Sequence, residues 1–115
     1  VSREVAVAQS GNAAAMVAAA FLDDLRLFGR AIDDRIAEPA RALLLPGFVA
    51  AKRAAIGAGA LGCSISGAGP SVFAIADDDA IATAVSAAMI AAYRKAGIEA
   101  SARVTCVDVC GATVE

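Results

Sequence analysis

The 115-residue sequence contains no histidine and no tryptophan, one tyrosine and four phenylalanines. Without imidazole it lacks both the side chain that most often moves protons near neutral pH and the commonest nitrogen ligand of transition metals. With aromatics at 4%, the core has to be built from Ala, Val, Ile and Leu. Such small side chains bring helices close together and leave little room for an enclosed ligand cavity. Neither sign of charge is in excess: 10 Lys and Arg stand against 12 Asp and Glu, for a net charge of −2. Nucleic acid is therefore not expected as a partner, because binding it takes a concentrated basic stripe. Apolar runs such as Ala13 to Leu22 fall short of the roughly 20 residues of a membrane span and are rich in Ala rather than Leu, so the sequence predicts a soluble protein without membrane association.

Cysteine is also scarce. Cys63, Cys106 and Cys110 form an odd set with one close pair. Zinc would need about four ligands, so the three read as buried, reduced thiols acting as small hydrophobes in a cytoplasmic protein. No targeting segment or initiating methionine is visible, and Val1 is expected to be a cut within a longer chain.

What the sequence does contain is a succession of short periodic segments. Arg3 to about Phe28 is free of proline, and Val17, Phe21, Leu25 and Phe28 are spaced four, four and three apart, which predicts one helix with those residues as its packing stripe. Gly11 would be its weak point, at a cost of roughly 1 kcal/mol relative to Ala. A second helical stretch through Ile32 and Ile36 is expected to stop near Glu38, because Pro39 disfavours helical geometry in the residue before it. Pro46 can open a third helix, with Lys52 and Arg53 in solvent and Gly57 and Gly59 ending it. Leu61–Ile65 and Ser71–Ala76 read as strands around the turn Ser66-Gly67-Ala68-Gly69-Pro70. Asp77, Asp78 and Asp79 supply an N-cap and acidic first turn for a helix with Ile81, Val85, Ala88 and Ala92 on one face. Gly97 is placed to cap its end. A strand from about Ala102 to Val109 and a short last strand after Gly111 complete the order. Strands so close in sequence must pair antiparallel. The expectation is one domain over residues 1–115: an α+β two-layer sandwich, with an antiparallel sheet of about four strands and helices on one face.

Two segments carry chemistry. In Ser66-Gly67-Ala68-Gly69-Pro70-Ser71 the glycines permit positive φ and close backbone approach, and the serines add hydroxyls, so the loop can present N–H groups to a phosphate or support a neighbouring loop. It is neither a Walker loop nor a dinucleotide fingerprint. The run Ile65 to Ala74 resembles the glycine-rich third motif of the GHMP small-molecule kinases, which lies in their C-terminal domain, a ferredoxin-like α+β fold. The resemblance implies a role for Ser66, Gly67, Gly69 and Ser71 in supporting the phosphate loop of a separate N-terminal domain. That phosphate loop, Pro-x-x-x-Gly-Leu-Gly-Ser-Ser-Ala in the family, has no match in this sequence, nor do the family's magnesium ligand and catalytic groups.

The second segment, Ile36-Ala37-Glu38-Pro39-Ala40-Arg41 followed by Leu44-Leu45-Pro46-Gly47-Phe48, resembles the homoserine kinases within that superfamily. The resemblance implies that Arg41 binds the α-carboxylate of L-homoserine, together with a second arginine from a region that this sequence does not contain. It further implies ATP and Mg2+ held mainly by the missing domain, phosphorylation of homoserine to O-phospho-L-homoserine in threonine biosynthesis, an inactive isolated chain and a possible homo-oligomer. No residue here is expected to be the catalyst, and none to bind metal. Three features have plainer readings. Asn12 reads as exposed or bonded to backbone, Asp77–Asp79 as a solvated helix start, and Glu38 as a local structural partner. Other functions fit the same features less specifically: a mevalonate-type GHMP kinase shares the glycine motif, and a non-catalytic amino-acid-binding regulatory domain shares the order of elements.

Overall fold

The computed structural model describes residues 1–114. Five α-helices and two strands follow in the order α1 (Arg3–Leu22), α2 (Leu25–Ala31), α3 (Glu38–Arg41), a 3-10 turn (Ala42–Leu44), α4 (Phe48–Gly57), β1 (Gly62–Ile65), β2 (Val72–Ile75) and α5 (Asp79–Lys95).

The first long helix is two helices. Asp23 takes a left-handed conformation, φ 54°, that ends α1, and Asp24 caps α2 by accepting a hydrogen bond from the Leu27 amide. Adjacent short acidic side chains thus end one helix and start the next, as caps favour. The packing face of α1 is made of Val5, Ala8, Asn12, Ala15, Met16 and Ala19, which are buried or half-buried. Val17 and Phe21 turn to the opposite side, and Phe21 is 88% exposed. The large residues of α1 therefore mark its open face. Small ones mark the packed face, because they let the helix approach α2 closely. With 20 residues, α1 is also long and apolar enough to cross a membrane by length and composition alone. Yet its packed face is tied to the following loop: Asn12 Nδ2 donates to the Asp33 carbonyl and Gln9 Oε1 accepts from the Arg35 amide.

β1 and β2 form an antiparallel hairpin in the register Gly62↔Ile75, Cys63↔Ala74, Ser64↔Phe73 and Ile65↔Val72. Successive residues of a strand face opposite ways. A Cβ on Gly62 would point at Gly29 of α2, whereas Cys63 packs with Ala55 of α4 and Val85 of α5. Helices consequently lie on both faces of β1, not on one. This explains why β1 is buried over its first three residues. On the α4–α5 side the core is Ala55, Ala60, Cys63 and Val85, with Ile81 and Met89 against it, and Phe48 is fully buried at the start of α4.

Among the described residues the sheet has two strands where four were expected. Residues 102–107 are extended in sequence pattern and line a groove together with β2, Phe28 and Tyr93, but they make no ladder with β2. Their side chains are exposed, and Asp108 turns the chain by accepting from the Cys110 amide. Alternation alone does not make a strand when neither a partner edge nor a buried face rewards it. Cys106 and Cys110 are exposed with this segment, so Cys63 is the one described cysteine that behaves as a core residue. The last short strand expected after Gly111 is likewise absent up to residue 114, and Glu115 lies outside the described residues.

Candidate functional site

The loop before α3 is organised by one carboxylate. Asp34 Oδ1 accepts from the amides of Ile36 and Ala37, both at 2.8 Å, and Oδ2 accepts from the Glu38 amide at 3.2 Å. Those three amides precede or open the helix, where they have no helical carbonyl to meet. With its entry fixed, α3 starts at Glu38 and accommodates Pro39 in its first turn, where a missing N–H costs nothing. The proline thus opens a helix instead of closing one. Arg41 is the last residue of that helix, not a residue beyond a break.

The two ends of α3 face β1 and the loop after it. Glu38 turns inward. Its Oε2 accepts from the Ser64 hydroxyl at 2.8 Å, and its Oε1 accepts from the Lys52 ammonium of α4. Its side chain is 13% exposed and that of Lys52 is 25% exposed, so this ion pair is half withdrawn from water and Lys52 is not the solvated lysine its helix position suggested. Ser64 is 4% exposed and is the buried polar residue of the core, and Glu38 satisfies it. One turn further on, Arg41 is exposed and its Nη1 donates to the Ala68 carbonyl at 3.0 Å. It does not pair with Glu38, and no described carboxylate lies within ion-pair range of it.

Ser66 to Ser71 form a closed turn. The Ser66 amide donates to the Ser71 carbonyl at 2.8 Å and the Gly69 amide donates to the Ser66 carbonyl at 3.0 Å. Gly67 and Gly69 have φ of 58° and 79°, and the Gly69–Pro70 peptide is cis. A Cβ on Gly69 would lie 3.1 Å from Leu45 Cδ1. The two sequence motifs therefore meet in space at two points, Arg41 with Ala68 and Leu45 with Gly69, and Glu38 adds a contact to Ser64 just before the glycine motif. Two of the loop's amides are used inside the loop, which suits a rigid support better than a cradle for phosphate. The hydroxyls of Ser66 and Ser71 are on exposed residues.

Around this site, Cys63 lies beside the Lys52–Glu38 pair. Burial pushes its thiol up to about 11, with Lys52 pulling it back and Glu38 adding to the rise. Burial also raises the Tyr93 phenol, with Cys63 contributing. A thiol held protonated at neutral pH is a poor nucleophile. Asp78 caps α5 through the Ile81 amide at 2.7 Å, and Asp79 lies in its first turn. No described group of Cys, Asp and Glu has the arrangement of a metal site. The described residues thus offer a cation beside a stiffened loop. Sequence reasoning singled out Arg41 and the loop, and the structure brings the two together. That reasoning missed Ser64 and Lys52, although a lone hydroxyl in an apolar strand is a signal, since a buried hydroxyl requires a partner.

Comparison with known proteins gives this arrangement its class. The family model described as GHMP kinases C terminal matches residues 16–95, and the chain belongs to that family. Within it, the chain is similar to homoserine kinases. It is 51% identical over 88 residues to the homoserine kinase of Chlorobaculum tepidum, covering 76% of this chain and 27% of that protein. To the homoserine kinase of Arabidopsis thaliana it is 45% identical over 89 residues, covering 76% of this chain and 24% of the relative. The crystal structure of homoserine kinase from Cytophaga hutchinsonii superposes with a TM-score of 0.80 at 45% identity, over 83% of this chain and 30% of that one. The chain spans 24% to 30% of the length of these relatives.

Proposed function

We propose that this chain is the substrate-anchoring part of a homoserine kinase, a phosphotransferase that moves the γ-phosphoryl group of ATP to the side-chain hydroxyl of L-homoserine and yields O-phospho-L-homoserine for threonine biosynthesis. The observation that carries this reading is the contact of Arg41 with Ala68, which joins the segment resembling homoserine kinases to the glycine motif of the superfamily. Similarity to the Chlorobaculum tepidum homoserine kinase at 51% identity supports the same reading.

Phosphoryl transfer depends on alignment and charge neutralisation more than on covalent chemistry from the protein. Arg41 suits the alignment. One of its guanidinium N–H groups steadies it on Ala68, and the planar fork keeps further donors for a carboxylate, which it grips with two parallel bonds as lysine cannot. The loop Ser66–Ser71 backs that arginine. Of the carboxylates near the loop and α5, Asp78 is used as the helix cap and Glu38 is occupied by Ser64 and Lys52. On this reading ATP and Mg2+ are held mainly by other parts of the parent enzyme, a soluble cytoplasmic protein, and the chain alone is inactive.

Arg41→Leu in the full-length parent enzyme tests this. Loss of a charge-assisted hydrogen-bond pair of about 1.5–3 kcal/mol should raise the homoserine KM roughly 10- to 100-fold while the ATP KM stays within about twofold. An unchanged homoserine KM would reject the role of Arg41. Phosphorylation of mevalonate in place of homoserine would reject the reading as a whole.

A further inference from the structure

Arg41 is exposed at the end of a helix of only four residues, and a helix that short has no stability of its own. Something else must hold its direction. Asp34 fixes where it begins through the amides of residues 36, 37 and 38, and at the far end the 3-10 turn Ala42–Leu44 follows without a break, with Leu45 against Gly69. What ties the helix to both β1 and α4 is the side chain of Glu38. It crosses from α3 to Ser64 in the middle of β1 and, through its other oxygen, to Lys52 on α4. Residues three apart on a helix share a face. Glu38 and Arg41 accordingly point at the same strand-and-loop segment, Glu38 at Ser64 and Arg41 at Ala68, four residues further along.

We infer that Glu38 is the positioning residue for Arg41: by clamping α3 to β1 and α4 it aims the guanidinium along the Ser66–Ser71 loop, so that both donors and loop stay in one register. This rests on the substrate role proposed for Arg41. Every partner of the clamp comes from a different element. Ser64 is in the hairpin and Lys52 is in the helix packed against it, so the carboxylate ties a single-turn helix to the part of the domain least able to shift. The ion pair is also half-buried. Removing the carboxylate leaves the Ser64 hydroxyl without its partner and the Lys52 ammonium with Asp33, 3.9 Å away, so α3 loses its tie to β1 and α4.

The test uses the full-length parent enzyme. Glu38→Ala should raise the homoserine KM about tenfold with the ATP KM within about twofold. Glu38→Gln, which still offers an oxygen to the Ser64 hydroxyl, should recover part of that loss and guards against a variant that fails to fold. Because Glu38 acts through Arg41, Glu38→Ala should add little to Arg41→Leu in the double variant. A crystal structure of Glu38→Gln or Glu38→Ala should show the Arg41–Ala68 hydrogen bond lengthened or lost. Additive losses, equal effects on both substrates, or an unmoved α3 with the Arg41–Ala68 bond intact would each overturn the inference. If Arg41→Leu alone leaves homoserine binding untouched while the crystal structure shows Arg41 released in the Glu38 variant, the clamp stands and the substrate role of Arg41 falls.

Discussion

Gly29 and Gly62 bring α2 and β1 into backbone contact: a Cβ placed on Gly62 would lie 2.3 Å from the Gly29 carbonyl oxygen, and one on Gly29 would lie 2.5 Å from the Leu61 carbonyl oxygen. Neither neighbour is a side-chain tip that could swing away, so an added methyl must push the helix off the sheet. Gly62→Ala is expected to destabilise the domain by about 3 kcal/mol, the upper part of the range for overpacking. Gly11 provides the opposite case. It is helical, and a methyl group added there would meet nothing within 4 Å, so Gly11→Ala should stabilise by roughly 0.5–1 kcal/mol. Urea unfolding of the two variants beside the parent checks both signs, and equal effects would contradict the contact.

Cys63 predicts a pH dependence. Its thiol is 2% exposed and its pKa rises from 9.0 to about 11 through burial above all. Above pH 9 the unfolded chain loses this proton while the folded chain keeps it. Stability is thus fully present below pH 9 and falls as pH rises from 9 towards 11, by about 2 kcal/mol, since a tenfold change in proton affinity is worth about 1.4 kcal/mol. Cys63→Ala should flatten that slope in a pH series of denaturant melts. For the same reason, a thiol reagent at pH of about 7.5 should label the exposed Cys106 and Cys110 and leave Cys63 unmodified until the chain unfolds.

The open side of α1 predicts association. Val7, Val17, Phe21 and Leu22 are all exposed. Apolar residues grouped in this way promote contact between molecules. The isolated chain should sediment as oligomers at tens of micromolar, and Phe21→Lys should shift it towards monomer; a strictly monomeric parent chain would contradict this. The same preparation should show no phosphorylation of homoserine by ATP.

Much of this fold is legible in the sequence where one residue type has a single physical use. Gly57 and Gly59 end α4, Asp78 and Asp79 start α5, and the Gly-Ala-Gly turn joins two antiparallel strands, all as their chemistry requires. The failures have a common cause. In α1 the packed face is rich in alanine, and periodicity drawn from the largest residues selects the wrong side. In Asp23-Asp24 two carboxylates do different jobs, one by backbone conformation and one by capping, which composition does not separate. Pro39 excludes a helix before it and equally permits one around it, and only the carboxylate of Asp34 decides between them. Residues 102–109 alternate like a strand, but a strand is completed by its partner. Motif resemblance singled out Arg41 and the loop, which the structure places in contact. Ser64 and Lys52 were not singled out, because their importance lies in contacts 26 and 14 residues away from Glu38.

The paired contacts from α3 to the hairpin bear on how such a domain can be re-engineered. Glu38 and Arg41 reach Ser64 and Ala68 across 26 and 27 residues of chain. A designer who grafts the glycine turn alone onto another scaffold would transplant a shape without the brace that orients it. The portable module is the noncontiguous pair, helix and turn together, with the serine and lysine that lock one to the other.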